Sequence, residues 1–345
     1  MTKHFVEVSE LTNQEIMNLM DVSMMLKRMD KQGACPELLK NCTLGMIFAE
    51  GSTRTRISFE AGMTKLGGHA QYLRPGEIHL GTGFETIYDT AKVLSRFCDA
   101  VLIRDETHAP IVEYAQASDV PLINAMTTRD YHPCQALCDM LTIIEHMPEG
   151  KTLADITFMW VGDCCDEEPV NNSLAPLLLR FGATVINACP EGADYNLSGA
   201  DSKPMYDAAA QGGGKFIQTS RPTEYIAEAD FLYTGTLFYP NWREDQVEIR
   251  KELFIPHYQV NMELVKQAPD HVKFMHYLPA LRDHEVTSEV MDSKYSIIYD
   301  QAENRMYTEM AVLCALVFPR RQKASEELKQ YNKAEAEAVL RNLYS

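Results

Sequence analysis

What most restricts the fold of this chain is an alternation of short, almost wholly apolar segments with stretches of helical spacing. Residues 44–48, 100–103, 120–124, 156–163, 183–187, 229–233 and 273–276 read as buried strands. Helical patterns cover 12–30, 53–66, 85–97, 132–147 and 172–181. In the first of these, Ser23 interrupts the stripe of Ile16, Leu19, Met20 and Leu26. Strands apolar on both faces, separated by helices, imply parallel sheets covered on each side. The expected class is therefore α/β, with two domains, each a mostly parallel sheet with helices on both faces. At 345 residues the chain can bury two cores. Pro148-Glu149-Gly150 punctuates the pattern and sets the expected boundary, giving domains 1–147 and 148–304. A helical region of about 305–345, rich in Ala, Glu, Lys and Leu after Pro319, is expected to join the first domain.

Charge narrows the class of partner. A formal net charge of −17 disfavours nucleic acid and anionic membrane, which both need basic surface. It leaves a small anionic ligand open, because local charge dominates within a screening length of about 8 Å. No apolar run approaches the roughly 18 residues of a membrane span. The opening MTKHFVEVSELTNQEI lacks the apolar core of a signal peptide, so a cytoplasmic protein is expected. Nine cysteines without paired CxxC spacing read as reduced thiols, with neither a disulfide framework nor a metal site. No internal repeat or low-complexity tract is present.

In parallel sheets, ligands sit beyond the carboxyl ends of the strands. Four polar clusters fall there. Ser52-Thr53-Arg54-Thr55-Arg56 follows strand 44–48 and opens a helix, whose unpaired N–H groups and positive dipole end favour phosphate. Arginine adds a planar fork of donors that matches phosphate oxygens. A solvated helix cap with two surface arginines is the local alternative. Arg104 closes strand 100–103, and Asn124 to Gln135 follow strand 120–123. His132-Pro133-Cys134-Gln135 starts a helix with proline in its first turn. His132 and Gln135, three apart, share a face and suit a carboxamide-like group, unless they form a plain cap and a surface amide. His276-Tyr277-Leu278-Pro279 sits at the last strand end, where Leu-Pro imposes an extended turn with exposed carbonyls. Glu303-Asn304-Arg305 precedes the terminal helical region and offers either another guanidinium or a surface salt bridge.

The ordered motifs Ser52-Thr53-Arg54-Thr55-Arg56, His132-Pro133-Cys134-Gln135, His276-Tyr277-Leu278-Pro279 and Ala302-Glu303-Asn304-Arg305-Met306 resemble those of the aspartate and ornithine carbamoyltransferase family. The resemblance covers nearly the whole chain. Gly67-Gly68-His69 and Phe84 to Arg96 look like its ornithine and putrescine branch. The Pro75 to Gly81 stretch and the charged extension after Pro319 look most like putrescine carbamoyltransferases. The resemblance implies transfer of a carbamoyl group from carbamoyl phosphate to an amine, with putrescine or ornithine favoured, and no metal or organic cofactor. It gives Ser52, Thr53, Arg54 and Thr55 to the phosphate, and Arg104 to both phosphate and carbonyl oxygen. His132 would polarise the carbonyl, Gln135 and the Leu278 carbonyl would hold the NH₂, and Arg305 would add charge from the far side. His276 and Tyr277 belong to the same substrate-binding turn, and Asn124 stands where the family uses Asn on the acceptor. Family members are trimers in which a neighbouring subunit completes each site; that position falls at His79, where glutamine is usual.

The pattern breaks on the acceptor side. Gly235 replaces an expected aspartate, and Thr236 to Trp242 replaces the Ser-Met-Gly that serves ornithine. The loop Cys164 to Asn172 brings Asp166, Glu167 and Glu168, which read either as a replacement counter-charge for a diamine or as a solvated loop. Two alternatives stand beside the main reading: a carbamoyltransferase with a different acceptor, and a non-catalytic carbamoyl phosphate-binding paralogue. A nucleotide-binding oxidoreductase is disfavoured because no GxGxxG follows any expected strand.

Overall fold

The computed structural model describes residues 3–341 except 75, 77, 81–82, 166, 193–194, 239–243 and 321–324. Pro75, Glu77, Gly81, Asp166 and the Tyr239-Pro240-Asn241-Trp242 segment, all singled out above, lie outside the described residues.

The first half runs α1 (Asn13–Lys31), β1 (Thr43–Phe48), α2 (Thr53–Lys65), β2 (His69–Leu73) and α3 (Ile87–Leu94). It continues with β3 (Ala100–Asp105), α4 (His108–Ala117), β4 (Leu122–Thr127) and α5 (Pro133–His146). These strands form a four-stranded parallel sheet in the order β2-β1-β3-β4. The second half runs β5 (Thr157–Val161), α6 (Pro169–Arg180), β6 (Thr184–Ala188), α7 (Lys203–Gly212), β7 (Lys215–Thr219) and β8 (Phe231–Tyr233). Next come α8 (Glu244–Tyr258), α9 (Met262–Val265), β9 (Lys273–Met275), α10 (Ser288–Met291), α11 (Ile298–Val317) and α12 (Glu326–Arg341). Its sheet is five-stranded and parallel, in the order β7-β6-β5-β8-β9. The expected α/β architecture is present, and the two sheets lie on either side of Pro148-Glu149-Gly150.

Central strands are buried almost throughout, as helices on both faces require. Edge strands β2 and β7 are half exposed and carry His69, Gln71, Lys215 and Gln218. Their mixed composition hides them from a search for apolar runs. β4 begins at Leu122 rather than Val120: Pro121 has no N–H to give to a ladder, while its carbonyl accepts from Val101 at 2.9 Å. The Ser23 that breaks the α1 stripe is buried, and its hydroxyl donates to the Leu19 carbonyl at 2.6 Å.

The C-terminal expectation needs correction. Glu303-Asn304-Arg305 does not precede the terminal helix but lies inside α11, which starts at Ile298 and buries Gln301, Asn304, Arg305 and Thr308. The region is not one continuous helix either, since α11 ends at Val317 and α12 is separate and exposed along its length. α11 packs on α1, α2 and α5. One apolar core runs from Met46 and Phe48 of the first sheet, through Leu137 of α5 and Leu313 of α11, to Phe158 and Trp160 of the second. No described helix is long and apolar enough to cross a membrane.

Candidate active site

Because every strand is parallel, the carboxyl ends of each sheet open at one edge, and the two edges meet. Between them lies a cavity of about 60 Å³. The first sheet contributes Ser52, Arg54, Thr55, Arg104, Met126, His132 and Gln135 to its lining; the second contributes Pro169, Val170, Tyr277, Leu278 and Pro279. Arg305 reaches it from α11. All four polar clusters seen in the sequence thus contribute residues to a cavity they share with Arg305.

Ser52 is the N-cap residue of α2, and its hydroxyl makes no cap hydrogen bond to the helix. Arg54 and Thr55 follow in the first turn and face the cavity, whereas Thr53 is exposed and absent from its lining. Helical geometry turns each successive residue by about 100°. Arg56 therefore points elsewhere, with its guanidinium 4.0 Å from the Tyr72 ring centroid and 3.7 Å from Glu60. Arg104, near the end of β3, approaches Glu50 at 3.8 Å.

Arg305 is the hub. Its Nη2 donates to Thr55 Oγ1 at 2.9 Å and to Glu309 Oε1 at 3.0 Å. Its Nη1 donates to Gln135 Oε1 at 2.5 Å and faces His132 Nε2 at 3.4 Å. Arg305 and Glu309 are both buried, so the alternative of a surface salt bridge does not hold. Burial pushes Glu309 up to about 7 even with the guanidinium beside it.

His132 caps α5. Its backbone N–H donates to Ser173 Oγ at 2.8 Å and to the Pro169 carbonyl at 3.1 Å, which ties the start of α5 to α6. Burial, reinforced by Arg305, Arg104 and Arg54, holds its imidazole well below the usual histidine range. It is therefore a neutral ring with one N–H to donate, and its buried Nδ1 has no hydrogen-bond partner among the described residues. Gln135 is oriented from behind. Its Nε2 donates to Asp139 Oδ1 at 2.7 Å, and Asp139 also accepts from Gln301 at 2.7 Å and Tyr233 at 3.0 Å. Burial nonetheless raises Asp139 to about 6.

The Tyr277-Leu278-Pro279 turn forms the opposite wall. His276, expected among the substrate-binding residues, is not part of the lining. Its Nδ1 accepts from the Leu278 N–H at 2.8 Å, and its Nε2 faces Glu285 at 3.3 Å. It holds the turn in shape, with Leu278 at φ 57°, a conformation that needs such support. Asn124 is also away from the cavity; it is fully buried in β4 and donates to the Val6 carbonyl at 3.0 Å. His79 is exposed, with its ring 5.3 Å from that of Phe84, and does not line this chain's cavity. Sequence reasoning missed Pro169, Val170 and Met126 because apolar lining has no chemical signature, and missed Asp139, Gln301 and Glu309 because they look like ordinary helix residues.

The profile of the aspartate/ornithine carbamoyltransferase carbamoyl-P binding domain matches residues 3–145. That of the aspartate/ornithine carbamoyltransferase Asp/Orn binding domain matches residues 154–316. This chain belongs to the aspartate/ornithine carbamoyltransferase family. It is 40% identical over 346 residues to a putrescine carbamoyltransferase of Mycoplasma capricolum, covering 98% of this chain and 92% of that protein. An ornithine carbamoyltransferase of Halalkalibacterium halodurans is 42% identical over 308 residues, covering 89% and 93%. Among solved structures, the ornithine carbamoyltransferase from Pyrococcus furiosus superposes with a TM-score of 0.84 at 38% identity, covering 92% of this chain and 98% of that one. A carbamoyltransferase must hold a dianion and polarise a carbonyl, and the cavity brings three guanidiniums and a neutral imidazole to one place.

Proposed function

We propose that this carbamoyltransferase transfers the carbamoyl group of carbamoyl phosphate to an amine, with putrescine or ornithine favoured as acceptor. The observation that carries the proposal is the convergence of Arg54, Arg104 and Arg305 with His132 and Gln135 on one cavity in a strongly acidic chain. In this reading Ser52, Arg54 and Thr55 hold the phosphate, with the α2 N-terminus behind them. Arg104 spans phosphate and carbonyl oxygen, and the neutral His132 donates its N–H to that oxygen. Gln135 and the Leu278 carbonyl orient the carbamoyl NH₂. The amine nitrogen forms a bond to the carbonyl carbon, the C–O bond to phosphate breaks, and phosphate departs with the electron pair. The nitrogen loses a proton, for which departing phosphate is a suitable base. Fixed donors directed at both oxygens lower the barrier, each typically worth about 10²–10³-fold in rate.

Residues 1–147, joined by the helical region of about 305–345, form the donor domain in this proposal, and 148–304 the acceptor domain. The assembly is a cytoplasmic homotrimer, or a multiple of one, in which His79 is offered to a neighbour's site. Phosphate release from carbamoyl phosphate, measured against a panel of putrescine, ornithine, agmatine and simple monoamines, tests the reading. Release with putrescine or ornithine and formation of the carbamoylated amine are expected. Carbamoyl phosphate binding without release from any amine would overturn it in favour of a non-catalytic binding protein.

A further inference from the structure

The acceptor wall works without a side chain at position 235. A Cβ on Gly235 would lie 2.8 Å from Tyr277 Cε1, 2.9 Å from the Tyr277 hydroxyl and 3.1 Å from Trp160 Cζ2. The phenol is fixed in that volume: the Thr236 N–H donates to its oxygen at 3.0 Å, and its ring lies near-parallel to Trp160 at 6.5 Å. Any negative charge that meets a second amino group on the acceptor must come from elsewhere.

Among the described residues, the other carboxyls packed into the second half each have a partner on at least one oxygen. Asp230 is held by Lys151 at 2.6 Å, before β8 and so at the sheet edge away from the cavity. Asp163 pairs with Arg250, and Glu285 accepts from the Leu281 N–H at 2.6 Å while facing His276. Glu168 is buried at 8% exposure. Among the described residues its carboxyl receives a single hydrogen bond, from the Val170 N–H at 3.4 Å, and no basic side chain lies within ion-pair distance. Its own side chain is not part of the cavity lining, but it directly precedes Pro169 and Val170, which are.

We infer that Glu168 is the counter-ion for the second amino group of the acceptor, so that this chain selects a diamine or diamino acid from the start of α6 rather than from position 235. The inference rests on the amine-acceptor reading given above. The charged and titratable groups around Glu168 are Asp163, Arg250 and Cys165. Burial and then Asp163 push the carboxyl up to about 8, with Arg250 too little to reverse them. In the free protein at neutral pH Glu168 carries a proton, and pairing with an ammonium releases that proton to solvent. Preference for a diamine over a monoamine of equal length must therefore rise as pH increases through about 8.

The test compares kcat/KM for putrescine and n-butylamine at saturating carbamoyl phosphate, from pH 6.5 to 9, in the wild-type protein and Glu168→Gln. Glutamine keeps the size and can still accept from the Val170 N–H. The wild type should prefer putrescine by about tenfold or more, with the ratio climbing through pH 8. In Glu168→Gln the ratio should collapse and become flat with pH, while n-butylamine turnover and carbamoyl phosphate affinity stay unchanged. An unaltered ratio in the variant, or a wild type without diamine preference that still carbamoylates n-butylamine, overturns this inference alone. No phosphate release with any amine overturns the proposed function and this inference with it.

Discussion

Arg54 lies at the start of α2, facing the cavity, and in the proposed function it holds the phosphate. Arg54→Ala is expected to weaken carbamoyl phosphate binding by about 100-fold, the scale of a lost charged pair to phosphate. Calorimetric titration checks this, and wild-type affinity would sink the phosphate assignment. Asp139 makes a different prediction. Burial holds its folded pKa near 6, above the ordinary carboxylate value of about 3.9. Between those values the folded protein keeps a proton that the unfolded chain has lost. The stability from neutral Asp139 is thus fully present below about pH 3.9 and is lost as pH rises through about 6, on the order of 3 kcal/mol. Asp139→Asn should remove that slope in urea midpoints taken from pH 4 to 6.5; parallel curves for the two proteins would contradict it. At this scale the sequence singled out Arg54, Arg104, His132, Gln135 and Arg305, which the fold brings to one cavity. It singled out His276 and Asn124 as well, which stay outside the lining, because a histidine or asparagine at a strand end looks alike whether it meets a ligand or the backbone of its own chain.

Helix starts and close helix crossings carry the element-scale predictions. Thr12 and Glu15 form a reciprocal capping box on α1, with the Glu15 N–H on Thr12 Oγ1 at 3.2 Å and the Thr12 N–H on Glu15 Oε2 at 2.9 Å. Thr12→Ala should cost about 1 kcal/mol in urea unfolding, and an unchanged midpoint would show that the cap contributes nothing. At the other end of the range, Gly212 closes α7 against the backbone of Arg180 on α6, where a Cβ would lie 2.3 Å from the Arg180 carbonyl carbon. Backbone cannot swing aside as a side chain can. Gly212→Ala should therefore destabilise by about 3 kcal/mol, the upper end of overpacking costs, read from the same unfolding curves. Elements built from unbroken apolar runs, β1, β3 and β5, were legible in the sequence. β2, β7, α7 and α8 were not, because their partly exposed surfaces carry polar residues at positions where a period is needed to recognise them.

The whole molecule places its cavity between two sheets that share one continuous core. A ligand there bridges both halves, and the shared core couples their unfolding. Urea unfolding should appear as one transition by fluorescence and circular dichroism. Carbamoyl phosphate at about 100 times its Kd should add about 2.7 kcal/mol by mass action. Two separated transitions, with only the first half shifted by ligand, would show that the halves are energetically independent.

The sequence by itself determined the parallel α/β class and the types of polar residue that line the cavity. Apolar runs and strand-end polar clusters are local properties that need no partner to be read. Tertiary structure alone decided which polar residues meet. It buried Glu309 under Arg305, set Asp139 behind Gln135, turned His276 into a brace for the Leu278 turn, and filled the space over Gly235 with Tyr277. It also separated Glu168 from its exposed neighbour Glu167, 3.7 Å from Arg129 at the surface. The two acids stand side by side in the chain, and only packing distinguishes a solvated charge from a buried one.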